Sequence, residues 1–227
     1  MRELYAVFVA GGSGRRMGSD LPKQFLPLGE KTILEHTVLR FAQTFPSLHI
    51  IVVLPSSYME DWKRICREGN FDIRQTLVEG GITRFHSVRN ALERVPDGAT
   101  VLIHDGVRPF VSASLLRTLA ECPGGACAPV LPVTDTLKRL DSSLRATEGP
   151  DPSREGLYGV QTPQVFHSEL IKAAYALPFS PDFTDDASVA RAAGIDVQYL
   201  PGEKFNIKIT TPEDLEIARL YEGFANQ

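Results

Sequence analysis

The sequence predicts an α/β protein built on a mostly parallel sheet with helices on both faces. Three observations lead there. Short apolar runs recur at residues 4–9, 49–54, 73–78, 100–104 and 126–133. These runs are continuous rather than alternating, as strands covered on both faces are. Amphipathic stretches at 33–44, 58–68, 84–95 and 112–121 fall between them, long enough to serve as the crossover helices that parallel neighbours require.

Taken in order, residues 4–9 (Leu-Tyr-Ala-Val-Phe-Val) read as a buried first strand. Residues 33–44 place Ile33, Val38, Leu39 and Phe41 on one helical stripe, and 49–54 is a β-branched run. Residues 58–68 are helical in pattern and 73–78 strand-like; 84–95 carries Val88, Ala91, Leu92 and Val95 at helical spacing. A buried strand at 100–104, a helix at 112–121 and a strand at 126–133 follow. The pattern then breaks at 134–155, a polar stretch holding Asp141, Ser142, Ser143, Gly149, Pro150 and Pro152. It is too long for a simple connection, so it is either a disordered loop or a protruding arm packed on another chain. Apolar alternation returns at 157–166, with helices expected at 167–176 and 185–193. Thr184 is the expected N-cap of the second, with Asp185 and Asp186 favourable to its dipole. The last strands are expected at 197–200 and 206–209, and Thr211-Pro212-Glu213-Asp214 opens a final helix. There is no internal repeat.

Length and composition bound the function. The 227 residues suit one domain, 1–227, with 134–160 as an excursion from it. A content of 43% hydrophobic and 23% charged residues is that of an ordinary globular protein. The net charge of −4 offers no global attraction to nucleic acid or an anionic membrane, so any phosphate binding must be local. The three cysteines, Cys66, Cys122 and Cys127, have no zinc-type spacing and suit reduced thiols in a cytoplasmic protein. No apolar run reaches membrane-spanning length, and Met-Arg-Glu-Leu-Tyr has no signal-peptide shape. Neither a nucleic-acid nor a membrane partner is expected.

The most informative segment is 9–24, Val-Ala-Gly-Gly-Ser-Gly-Arg-Arg-Met-Gly-Ser-Asp-Leu-Pro-Lys-Gln. Gly11, Gly12 and Gly14 let backbone approach a ligand closely, and Arg15, Arg16 and Lys23 set positive charge beside it, an arrangement suited to a polyphosphate. A Walker A loop needs a lysine after its last glycine, and none follows Gly18; the dinucleotide fingerprint needs glycine where Met17 stands. Farther on, Gly80-Gly81-Ile82-Thr83-Arg84-Phe85-His86-Ser87 reads either as a reader of a flat base edge or as a helix start capped by Thr83. His104-Asp105-Gly106-Val107-Arg108-Pro109 follows a buried strand, at the edge where open parallel sheets bind ligands. Asp105 there suits a Mg²⁺ ion shared with phosphate oxygens, or else an Asp-Gly turn with a structural ion pair. Arg108 suits a second phosphate, and His104 reads as a core or turn histidine. In Asn206-Ile207-Lys208-Ile209-Thr210, Lys208 faces away from its apolar neighbours, toward solvent at an edge or into a site.

With Asp135-Thr136-Leu137-Lys138, Thr162-Pro163-Gln164 and Thr184-Asp185-Asp186-Ala187-Ser188, these motifs resemble the 2-C-methyl-D-erythritol 4-phosphate cytidylyltransferase family of the non-mevalonate isoprenoid pathway, from Val7 to about Tyr221. The resemblance implies a Rossmann-like sheet, a homodimer joined through a β-arm at 134–160, and use of CTP, Mg²⁺ and methylerythritol phosphate. It implies that Arg16, Lys23 and Lys208 act on the reacting phosphates, with Lys208 also lining the acceptor site. Ala10, Gly11, Gly12, Gly14, Gly80, Gly81, Arg84 and Ser87 would hold the nucleotide, Gly81 and Ser87 at the cytosine. Asp105 would hold the metal, and Arg108, Thr162 and, from the partner's arm, Thr136 and Arg154 would line the acceptor site. Lys204-Phe205 departs from the acidic or small residue the family often carries before its Asn-Ile-Lys. A ribitol-5-phosphate cytidylyltransferase has a similar loop and arm and is the nearest rival; a nucleotide-binding regulatory module without turnover is the distant one.

Overall fold

The structure, a computed structural model, describes residues 2–12 and 21–225, the side chains of 223–225 excepted. The chain runs β1 (Leu4–Val9), a short antiparallel pair β2 (Pro27–Leu28) and β3 (Lys31–Thr32), α1 (Ile33–Thr44), β4 (His49–Leu54), α2 (Met59–Glu68), β5 (Thr76–Glu79), α3 (Arg84–Leu92), β6 (Thr100–Asp105), α4 (Ala113–Ala120), β7 (Ala126–Pro132), β8 (Tyr158–Val160), β9 (Gln164–His167), α5 (Ser168–Tyr175), α6 (Asp186–Ala192), β10 (Gln198–Pro201) and α7 (Pro212–Ala225). The eight-stranded sheet has the order β10-β7-β9-β6-β1-β4-β5, with β8 paired to β7.

Side-chain parity on the central strands sorts the core. Val7, Ile51, Val53, Val101 and Ile103 point to one face, where α3, α5 and α6 pack. Ala6, Phe8, Ile50, Val52 and Leu102 point to the other, against α1, α2 and α4 through Leu34, Phe41, Trp62 and Leu116. This is the two-sided burial that the continuous apolar runs require. The helix starts are chemically set: Thr32 and Glu35 form a reciprocal capping box on α1, and Ser112 caps α4.

The sheet is mostly parallel, as expected, with an antiparallel insertion. β1 pairs in parallel with β4 and β6, β4 with β5, and β7 with β10, but β9 is antiparallel to both β6 and β7, and β8 is antiparallel to β7. The cause is the excursion after β7. Residues 134–157 leave and rejoin the sheet at one edge, where the Val133 N–H donates to the Leu157 carbonyl at 3.0 Å. The returning chain must therefore run back into the sheet against β6.

Four local expectations are corrected. The run expected at 157–166 is two strands, β8 and β9, split by residues 161–163. The strand expected at 73–78 lies at Thr76–Glu79. Asp185, not Thr184, caps α6: it accepts from the Ser188 N–H at 2.8 Å while the Ser188 hydroxyl sits 3.1 Å from the Asp185 N–H. Residues 206–209 form no strand. They lie past the end of β6, where the Ile209 N–H reaches across to the Val107 carbonyl at 3.0 Å, while the Asn206 carbonyl accepts from the Arg108 guanidinium at 2.7 Å and its side-chain amide donates to the Thr162 carbonyl at 2.8 Å.

Candidate active site

One edge of the sheet collects the motifs. The carboxyl ends of β1, β4, β5 and β6 lie together because those strands are parallel, and β7 and β10 end on the same side. β9 runs the other way, so its beginning meets the end of β6: Ile103 is opposite Gln164, and Thr162 lands beside Asp105. The loop after β1, the turn after β5, residues 105–109, residues 161–163 and residues 203–209 therefore converge from separations of up to about two hundred residues.

Asp105 is the electrostatic centre. Its carboxylate lies 3.0 Å from Lys208 Nζ, 3.4 Å from Arg108 Nε and 3.7 Å from Arg84 Nε. Burial by itself would push the carboxyl up, but Arg84, Lys208 and Arg108 together outweigh it and hold the group well below the usual carboxylate range. The cations are themselves secured. Arg84 makes a two-pronged pair with the fully buried Asp186 at 2.8 and 2.6 Å, and Asp186 also accepts from the Tyr175 hydroxyl at 2.6 Å. Arg108 donates to the Asn206 carbonyl at 2.7 Å.

A cavity of about 320 Å³ opens beside this cluster. Ala10, Gly11, Gly12 and Lys23 line one side of it; Gly81, Arg84 and Ser87 line another, with Asp105 and Lys208 at its floor. Lys23 Nζ lies 3.1 Å from the Ile209 carbonyl, which ties the β1 loop to the 206–209 segment. Gln24 is fully buried and donates to the Ala10 carbonyl at 2.7 Å, holding the first turn of the loop. Gly81 must be glycine, since a Cβ there would lie 2.4 Å from the Cβ of His86. Its N–H donates to Ser87 Oγ at 3.0 Å, and that hydroxyl donates to the Thr83 carbonyl at 2.9 Å. Thr83 also caps α3, so helix start and glycine turn are one structure here. Gly80 sits one residue behind the cavity, its N–H on the Leu54 carbonyl at 2.8 Å.

Not every expected site residue reaches this cavity. Gly14 and Arg16 lie outside the described residues. Arg84 faces the cavity but spends its fork on Asp186, a partner 102 positions away that no local pattern points to. Thr162 is buried behind Asp105 with its hydroxyl turned inward, to the Asp105 N–H at 3.1 Å and His104 Nδ1 at 2.9 Å. Thr136 and Arg154 are exposed on the 134–160 segment, where Arg154 donates to the Thr134 carbonyl and Lys138 pairs with Asp151 across the two legs. Neither lines the cavity of its own chain. Ile82, 97% exposed at the cavity rim, carries no chemistry that would single it out in the sequence.

Among the described residues no three His, Cys, Asp or Glu side chains gather as a metal cage, and no helix is long and apolar enough to cross a membrane. Asp105 is a carboxylate donor at a strand end. That matches a hard divalent ion completed by phosphate oxygens and water, not a protein-enclosed one.

The family model described as 2-C-methyl-D-erythritol 4-phosphate cytidylyltransferase matches residues 4–223. A relative of that name from Bacteroides thetaiotaomicron is 47% identical over 213 residues, 93% of this chain and 95% of its own. Another from Porphyromonas gingivalis is 45% identical over 221 residues, 95% of this chain and 96% of its own. The structure of 4-diphosphocytidyl-2C-methyl-D-erythritol synthase from Anaerococcus prevotii superposes with a TM-score of 0.79 at 30% identity, covering 98% of this chain and 96% of that one. The cytidylyltransferase structure from Thermus thermophilus gives 0.74 at 31% identity, over 97% and 98%.

Proposed function

The chain belongs to the 2-C-methyl-D-erythritol 4-phosphate cytidylyltransferase family, and we propose that its strand-edge site joins CTP to 2-C-methyl-D-erythritol 4-phosphate. The products are 4-diphosphocytidyl-2-C-methyl-D-erythritol and pyrophosphate, in isoprenoid biosynthesis. One observation carries the residue-level reading: three cations meet on Asp105 at the floor of a glycine-lined cavity that also holds Lys23. Such a site is suited to drawing two phosphate anions together.

In the reaction an acceptor phosphate oxygen attacks the α-phosphorus of CTP. The new P–O bond forms as the bond to the bridging oxygen breaks, and its electron pair leaves with pyrophosphate. The nucleophile is already an anion, so no general base is needed. His104 is not one, since burial lowers it to about 4 and both its ring nitrogens are engaged. Lys23 and Arg16 neutralise charge on the five-coordinate phosphorus and the departing pyrophosphate, while Arg108 and Lys208 face the acceptor phosphate. Catalysis is then mainly positioning and preorganised charge. Gly11 and Gly12 admit the triphosphate, since a Cβ would meet nothing closer than Lys23 Cε at 3.7 Å and the space beyond is cavity. The turn at Gly80, Gly81 and Ser87 reads the cytosine edge.

Asp105 would hold Mg²⁺ as a carboxylate ligand, and the ion, when bound, would supply Lewis-acid charge on the phosphates. Because three cations already crowd Asp105, the ion is held there only in company with the negative triphosphate. A homodimer is proposed to form through 134–160, on which Leu140, Leu144, Leu157 and Tyr158 stand exposed. It would bring Thr136 and Arg154 to the partner's acceptor site. The three free cysteines suit a cytoplasmic setting.

The test is pyrophosphate release from CTP or UTP with 2-C-methyl-D-erythritol 4-phosphate or ribitol 5-phosphate. Turnover is expected with CTP and the methylerythritol acceptor. UTP should be poorer by roughly 10²-fold or more in kcat/KM, because exchanging an amino group for a carbonyl leaves buried groups unpaired. Preference for ribitol 5-phosphate, or parity of UTP with CTP, would refute the assignment.

A further inference from the structure

His104 lies in β6, fully buried, one residue before Asp105. Its ring is packed by Phe41, with centroids 4.8 Å apart, and edge-on by Phe8 at 6.1 Å. Its polar contacts run to two residues of the acceptor half of the site. Nε2 is 3.0 Å from the Arg108 carbonyl oxygen, and Nδ1 is 2.9 Å from Thr162 Oγ1. A carbonyl can only accept, so Nε2 carries the proton. In the neutral ring Nδ1 is then an acceptor, and the Thr162 hydroxyl donates to it. The Thr162 oxygen is left to accept from the Asp105 backbone N–H, 3.1 Å away.

Every donor and acceptor in this chain is used once. Asp105 N–H donates to Thr162, Thr162 O–H to His104, and His104 N–H to the backbone of Arg108. The bonds form a loop behind the carboxylate, from position 105 through 162 and 104 to 108. Asn206 closes the other side, donating to the Thr162 carbonyl at 2.8 Å while its own carbonyl takes the Arg108 guanidinium at 2.7 Å. The nucleotide-side residues Gly11, Gly12, Lys23 and Ser87 take no part in it.

We propose that His104 is a positioning residue for the acceptor half of the site: through Arg108 and Thr162 it sets where the acceptor phosphate is held relative to Asp105, and it leaves the nucleotide half untouched. This rests on the cytidylyltransferase reading above. A buried histidine that served only the core would also need its ring nitrogens paired, but its loss would affect both substrates alike.

Three variants separate the two bonds. His104→Phe keeps the ring volume and removes both. His104→Asn places an amide oxygen near the Nδ1 position and keeps the acceptor for Thr162. His104→Gln places an amide N–H near the Nε2 position and keeps the donor for Arg108. His104→Phe is expected to raise KM for the methylerythritol acceptor about tenfold, the scale of a buried hydrogen bond or two, with a smaller change in kcat. Its Kd for CTP, by calorimetry, should stay within about twofold of the wild type. The Asn and Gln variants should each recover part of the acceptor KM. If His104→Phe does not fold, the same comparison is made between the two amide variants and the wild type. Equal losses toward both substrates, no loss at all, or amide variants no better than Phe would overturn the proposal.

Imidazole ¹⁵N NMR of the wild type gives a readout independent of turnover: a proton on Nε2 and a bare Nδ1 are expected, and the opposite tautomer overturns the proposal. A wild type that binds CTP but does not consume the acceptor would refute the functional reading instead, and the tautomer would still decide the hydrogen-bonded loop.

Discussion

Replacing Asp105 with asparagine keeps its shape and removes its charge. Three cations 3.0, 3.4 and 3.7 Å away then face a neutral amide. Removing one partner of a buried ion pair typically destabilises by about 3–5 kcal/mol when it strands an uncompensated charge. Each cation here keeps some company, however. Arg84 retains Asp186 at 2.8 and 2.6 Å, Arg108 retains the Asn206 carbonyl at 2.7 Å, and the Lys208 side chain is 42% exposed to water. The expected loss is therefore below that range, about 2 kcal/mol, or a fall in Tm of roughly 4–8 °C for a chain of this size. Turnover should fall by at least about 10²-fold, since the variant loses the proposed metal ligand and the anchor of its cations.

The stability difference has a definite pH dependence. The folded carboxyl of Asp105 titrates below its unfolded value, so its contribution is complete above about pH 4 and is lost as pH falls through the depressed folded value. The gap in Tm between wild type and Asp105→Asn should therefore be constant from neutral pH down to about pH 5 and narrow below about pH 4. Added pyrophosphate should raise the Tm of the variant, because it supplies the missing counter-charge. Differential scanning fluorimetry across pH, with and without pyrophosphate, reads all of this. A variant as stable as the wild type, and active, would show that Asp105 is only a turn residue.

Lys23→Ala should lower kcat by about 10²–10³-fold with the Kd for CTP within a few-fold, since the lysine is worth most where charge builds in the transition state; near-normal turnover would remove it from the reaction. Asp186→Ala should destabilise by about 2–3 kcal/mol, by urea titration, because it removes the fully buried partner of half-buried Arg84, which keeps only Asp105 at 3.7 Å, and leaves the Tyr175 hydroxyl without its acceptor; a loss under about 1 kcal/mol would contradict the pair. Mixed dimers of Lys23→Ala and Arg154→Ala should recover up to about half of wild-type activity, because one of the two sites then collects both defects and the other neither; activity that only averages the two parents would place Arg154 in its own chain's site or in none.

What could be read from the chain divides along physical lines. Apolar continuity on 4–9, 49–54 and 100–104 announced strands covered twice, and those three lie side by side inside the sheet as β1, β4 and β6. Glycine pairs and an Asp-Gly at strand ends marked the working edge, because backbone that must come near a ligand leaves a local trace. Pairings between distant residues leave none. Nothing near Arg84 points to Asp186, and nothing near His104 points to Thr162, 58 positions on. The antiparallel β9 was hidden for a related reason. Its residues look like any buried strand, and its direction follows from where the 134–157 excursion returns. The 206–209 segment misled through its pattern: Ile207 and Ile209 flank Lys208 as in a strand, but no neighbouring strand extends far enough past β6 to pair with them.

An enzyme that joins two anions must hold cations close together before either anion arrives, and cations a few ångströms apart repel by several kcal/mol each at the effective dielectric of a protein surface, about 20. Asp105 is placed to absorb that repulsion. It rises from the end of a strand whose six residues are all buried, so its backbone cannot drift. Arg84 comes from the start of α3, Arg108 from the turn after β6 and Lys208 from the segment after β10, and all three meet on its carboxylate. Lys208 is the most exposed of the three, and its contact with Asp105 is correspondingly the least costly to exchange for a phosphate. Arg84 and Arg108, tied to Asp186 and Asn206, stay where they are. On the proposed reaction, the charge offered to the transition state is thus assembled during folding and needs little rearrangement when phosphorus becomes five-coordinate.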